Sequence, residues 1–144
     1  MQTSASQEPL MLLREIRSNV GAIDTPGLKD AEILSFLDVD DSLSSAISEA
    51  YARFQSMANE FPELYLDADE ATLITELQDG FVNFYNPATV NPYVALAARG
   101  PWIVTSHGAV IHDNGGYGML GSGHGPEHVI QSMSDNWVMA NVMT

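Results

Sequence analysis

Residues 100–126 read GPWIVTSHGAVIHDNGGYGMLGSGHGP, and this stretch decides the fold. Trp102-Ile103-Val104-Thr105 and Ala109-Val110-Ile111 are β-branched and aromatic runs, and Ser106-His107-Gly108 between them suits a tight turn. The pair therefore predicts a β-hairpin. A second tight connection at Asp113-Asn114-Gly115-Gly116 predicts a return through Tyr117-Gly118-Met119-Leu120 as a third short strand. Gly121-Ser122-Gly123 then permits backbone angles and close approaches that a side chain would forbid. Gly125-Pro126 opens a helix, with proline at a position that needs no N–H. Val129, Ile130, Met133, Trp137 and Val138 are its predicted apolar face.

Upstream the period is helical. Leu10, Leu13 and Ile16 predict a helix over 8–20, which Gly21 and Asp24-Thr25-Pro26-Gly27 close in a turn. Another short helix is predicted over 29–37. The Asp38-Val39-Asp40-Asp41-Ser42 run fails as a calcium loop, because Leu43 stands where its glycine is needed. Asp40 or Asp41 serves better as an N-cap. The helix it opens runs from Ser42 to about Glu60, with Leu43, Ala46, Ile47, Ala50, Tyr51, Phe54 and Met57 as one apolar stripe. Pro62 closes it, and Asp67-Ala68-Asp69-Glu70 opens the next, carrying Leu73, Ile74, Leu77 and Phe81. A last short helix is predicted over 92–99, with Pro92 in its first turn. The fold class expected is α+β: a mainly helical N-terminal region, a small antiparallel β-meander, then a helix. The expected division is 1–90, 91–125 and 126–144.

Composition narrows the function. Nineteen acidic residues oppose five basic ones, for a net charge of −14. Such a surface repels phosphate backbones and anionic lipid, so neither nucleic acid nor a membrane is an expected partner. With no cysteine, disulfides, thiolate zinc sites and cysteine nucleophiles are excluded. The N-terminus lacks the pattern of a secretory signal and no run is apolar enough to span a bilayer, so the expected location is the cytoplasm.

Motif chemistry is mostly negative. His107, His112, His124 and His128 lie close together in sequence, but the His-Glu-x-x-His zinc pattern is absent and Gly125-Pro126 separates the last two, so no metal site is expected. Gly121-Ser122-Gly123 begins like a dinucleotide fingerprint, yet Pro126 occupies the place of the third glycine. Ser122 lacks the flanking glycines of a nucleophile elbow, since Leu120 and His124 hold those positions.

One resemblance remains. Gly100, Trp102 to Val104, Gly108, Ile111, Asp113, Gly116, Leu120, Gly123-His124 and a helix from Pro126 follow the order found in the N-terminal segment of class III aminotransferases. These are enzymes of fold type I that use pyridoxal 5'-phosphate. The resemblance covers roughly residues 91–144, and Gly-His is its most specific part. The chain departs from the family pattern in the place of the proline after His124 and in a short stretch between Leu120 and His124.

The resemblance implies that Gly121, Ser122 and Gly123 line the substrate side of an active site, close to a subunit interface. His124 would be structural, and Asp113 a turn residue without a catalytic role. Such an enzyme moves an amino group between an amino donor and a 2-oxo acid, and it needs a lysine for the coenzyme. The sequence has one, Lys29, in the helical region and outside any such motif. No catalytic, cofactor-binding or metal-binding residue is therefore expected within these residues. The expectation is an N-terminal portion, inactive alone, that caps the substrate channel and contributes to a homodimer contact. Its partners would be the remainder of its own chain and a second subunit. The alternative is a self-contained acidic α+β protein-interaction module without cofactor.

Overall fold

A computed structural model describes residues 6–61, 67–82, 84, 86, 89–114 and 120–134. The fold is α+β. Among the described residues five α-helices accompany a three-stranded antiparallel sheet: α1 (Gln7–Ser18), α2 (Asp30–Leu37), α3 (Asp41–Glu60), α4 (Glu70–Gln78), β1 (Ala95–Arg99), β2 (Trp102–Thr105), β3 (Val110–His112) and α5 (Glu127–Met133). The sheet order is β1-β2-β3.

Two of the helices begin where capping chemistry places them, α3 and α2. Asp40 takes an extended backbone before α3, and its carboxylate accepts from the Ser42 N–H at 2.9 Å. That satisfies one of the free donors at a helix start. At α2 the Glu32 carboxylate reaches back to the Lys29 N–H at 2.8 Å. Leu10, Leu13 and Ile16 of α1, Ile33 and Leu37 of α2, and Leu43, Ala46, Ile47 and Ala50 of α3 bury their apolar faces in one core with Trp102, Val104 and Val110 of the sheet. Tyr51 and Phe54 lie at its margin, partly buried. The core therefore joins residues on both sides of position 90, and the N-terminal helices form the layer on which the sheet rests.

The β2–β3 hairpin is found as the sequence predicts, with Trp102 opposite His112 and Val104 opposite Val110. The remaining strand is not where it was expected. Residues 95–99, predicted as a helix over 92–99, form β1 and pair with β2, Arg99 standing opposite Trp102. Alanine and leucine favour a helix locally, but pairing across the two-residue turn Gly100-Pro101 overrides that preference. Gly100 supplies the positive φ the turn requires, at +54°.

The predicted third strand at 117–120 falls mostly outside the described residues, as do Gly115 and Gly116. Leu120 itself belongs to a 3-10 turn, Leu120–Ser122. Helix α5 begins at Glu127, with Pro126 as its N-cap. Its apolar positions Val129, Ile130 and Met133 are exposed, so they do not form a buried face here; Trp137 and Val138 lie outside the described residues.

Two further contacts fix the layers. Leu28 N–H donates to the Val110 carbonyl at 2.9 Å, which covers the outer edge of β3. The start of α4 is held on the turn after α1: Ala22 N–H donates to Asp69, and the Asp24 and Thr25 N–H groups donate to the buried Glu70 carboxylate at 2.9 and 2.7 Å. Gly21 makes this approach possible. A Cβ there would lie 2.5 Å from the Asp69 nitrogen.

Candidate functional site

The glycine segment returns to the sheet at the Gly100-Pro101 turn. Gly100 and His124 form an antiparallel bridge, each N–H donating to the other's carbonyl at 3.0 and 2.7 Å. Gly123 adopts φ +65°, and a Cβ on it would sit 2.8 Å from the Gly100 Cα. No other residue fits both demands. The His124 ring then meets the Asp113 carboxylate, Nε2 to Oδ2, at 2.9 Å. From the other side the Arg99 guanidinium donates to the Gly125 carbonyl at 3.1 Å and ion-pairs with Glu49 of α3 at 2.8 Å. That pairing raises the Arg99 pKa, first through the hydrogen bond to Glu49. The tripeptide Gly123-His124-Gly125 is thereby gripped from both flanks.

Gly121, Ser122 and Gly123, the residues expected to line a substrate channel, are carried on this grip. All three are exposed, and a Cβ on Gly121 would meet nothing within 4 Å. The structure thus places them together in one surface turn beside the sheet. The partner contacts of His124 were not legible in the sequence, because Asp113 and Gly100 reach it only through the return of the chain.

The other histidines are dispersed. His107 is wholly buried; its Nε2 lies 2.8 Å from the Ala68 carbonyl and its Nδ1 3.0 Å from the Ser106 hydroxyl. A carbonyl can only accept, so Nε2 carries the proton and Nδ1 accepts from Ser106. His112 is exposed on β3, edge-on to Trp102 at 4.7 Å between ring centres and stacked near Phe36 at 6.5 Å. Among the described residues no group of three or more His, Asp or Glu side chains is arranged to hold a metal ion.

Trp102 joins the sheet to the helices. It is 1% exposed, packs on Phe36 of α2 at 4.9 Å, and donates its indole N–H to Asp40 at 2.8 Å. Hydrogen bonds from the Ser42 hydroxyl and then from Trp102 hold the Asp40 carboxyl below its ordinary range.

A pyridoxal phosphate site needs a Schiff-base lysine and a cradle for a phosphate. These residues do not fit that group by themselves. Lys29 is exposed at the N-cap of α2, next to the Leu28 contact with Val110 and so at the far end of the β2–β3 hairpin from Gly100. Each arginine is already engaged: Arg14 and Arg17 with Asp30, Arg53 with Glu60, Arg99 with Glu49. Among the described residues no helix is long and apolar enough to cross a membrane. Compared with family models, with curated proteins and with solved structures, the chain matches none.

Proposed function

We propose that this chain is the N-terminal portion of a pyridoxal phosphate-dependent aminotransferase of the class III type, in which residues outside it hold the coenzyme. Residues outside these would hold the coenzyme, which would supply electron-sink chemistry there. These residues contribute walls. Gly121, Ser122 and Gly123 would close the substrate side of the channel, exclude water there, and meet a second subunit of a cytoplasmic homodimer. The substrates would be an amino donor and a 2-oxo acid. The observation that carries the reading is the seating of Gly123-His124 on Gly100. The most specific part of the family resemblance is a built element of this fold, not a loose loop, and it leads directly into α5.

The test is spectroscopic. The complete reading frame that encodes these residues should yield a protein absorbing at about 420 nm from a lysine-bound coenzyme. Substituting that lysine should abolish the band. A complete product without the band, with pyridoxal phosphate supplied, would sink the proposal.

One observation favours a second reading, a self-contained acidic interaction module without cofactor. The core from Leu10 to Val110 is continuous, as an independently folding unit requires. Under that reading the 144-residue chain unfolds in one cooperative transition as a monomer, and the complete product carries no coenzyme.

A further inference from the structure

We propose that His124 is a positioning residue: held between Gly100 and Asp113, it fixes where Gly121 and Ser122 are presented. The inference deepens the channel-wall reading and rests on it for its biological purpose. The geometry stands on its own. Gly121 and Ser122 are exposed, and a Cβ on Gly121 would meet nothing within 4 Å. The described residues that follow them are anchored to the sheet. Gly123 has no room for a side chain against Gly100, the two backbone bonds of 3.0 and 2.7 Å set the register of His124, and the ring reaches Asp113 at 2.9 Å.

Asp113 is itself anchored, its N–H donating to the Pro101 carbonyl at 2.7 Å. The ring of His124 therefore ties the glycine turn to a point already fixed on the sheet. Arg99 holds the next carbonyl, that of Gly125, and links it through Glu49 to α3. A glycine-rich turn has high conformational entropy when free. The two side-chain anchors at its exit, His124 on Asp113 and Arg99 on the Gly125 carbonyl, limit that freedom and leave the space in front of Gly121 unfilled.

Amide hydrogen exchange on the 144-residue chain tests this. The Gly100 and His124 amides report the bridge; the Thr105 and Ser106 amides, bonded to the Ala109 and Val94 carbonyls, report the far end of the sheet. His124→Ala should speed exchange at Gly100 and His124 by about threefold to tenfold, the worth of one side-chain hydrogen bond, and leave Thr105 and Ser106 unchanged. His124→Gln, whose amide can donate to Asp113 from a similar place, should restore slow exchange. Unchanged exchange at Gly100 in His124→Ala overturns the proposal. So does equal loosening at Thr105, which would mark His124 as a general stability residue, and so does a glutamine that restores nothing. Should the exchange pattern hold while the complete product lacks a coenzyme band, the clasp stands and the aminotransferase reading falls.

Discussion

Replacing Asp40 with alanine should destabilise the fold out of proportion to an exposed acidic residue. One carboxylate does two jobs here: it caps α3 through Ser42 and accepts the indole N–H of Trp102 from β2. Loss of the cap costs about 1 kcal/mol. Loss of the second bond leaves the N–H of a 1% exposed tryptophan without its partner, which costs about 1–3 kcal/mol more. The sum, roughly 2–4 kcal/mol, corresponds to a fall in melting temperature of roughly 6–14 °C for a chain of this size. Circular dichroism reads it, far-UV for the helices and near-UV for the Trp102 environment. Asp40→Asn keeps one acceptor oxygen and should lose less.

The same residue has a pH signature. Its folded carboxyl is held below the ordinary range, first by the Ser42 hydroxyl and then by Trp102. A depressed carboxylate contributes stability that is present above the unfolded pKa of about 3.9 and is lost as pH falls through the folded value. The stability gap between the wild type and Asp40→Asn should therefore narrow progressively below about pH 4. A shift of under about 2 °C in Asp40→Ala, or a gap that widens in acid, would refute the reasoning.

Three other substitutions probe separate contacts. Gly21→Ala would push a methyl group to 2.5 Å from the Asp69 nitrogen and 2.6 Å from the Ala68 carbonyl carbon; neither backbone atom can yield, so urea denaturation should show a loss of about 1–3 kcal/mol. His107→Ala empties a buried site and releases the tether to Ala68, for a loss of about 2–4 kcal/mol by the same assay. Arg53→Ala breaks a 2.7 Å ion pair with Glu60, but the two side chains are 42% and 45% exposed, so the melting temperature should move by no more than about 1 °C.

Much of the helical layer was legible in the sequence because its signals are local. The stripe from Leu43 to Met57 and the acidic cap before it define α3 without reference to the rest of the chain. The hairpin of β2 and β3 was legible for the same reason, two β-branched runs around Ser106-His107-Gly108. β1 was not. Ala95-Leu96-Ala97-Ala98-Arg99 carries a helix former at every position, and only its pairing with β2 makes it a strand. The sequence did hold one clue, the Gly100-Pro101 dipeptide directly before an aromatic β-branched run, which marks a turn and so leaves the preceding residues free to pair. The apolar spacing of α5 was read with the right period over Val129, Ile130 and Met133, yet those residues are exposed. Periodicity states which residues share a face and says nothing about what covers it. The sequence marks the candidate site only by residue types, the glycines around His124; its contacts with Asp113 and Arg99 arise only when the chain returns.

Trp102 explains why the helical layer and the glycine segment belong together physically. Its ring packs on Phe36 of α2, its nitrogen is satisfied by the residue that caps α3, and His112 of β3 meets it edge-on beside Phe36. The residues flanking it on either side make the hinge of the site: Gly100 receives His124, and the strand beyond leads to the hairpin that ends near Asp113. Without α2 and α3 the indole N–H and one face of the sheet would open to water, and the strand that carries Gly100 would lose its backing. The grip on Gly123-His124-Gly125 is only as firm as that strand, and Arg99 ties it to α3 a second time through Glu49. The acidic helical region therefore acts on the exposed turn at Gly121 and Ser122 through packing, by holding still the sheet from which that turn is hung.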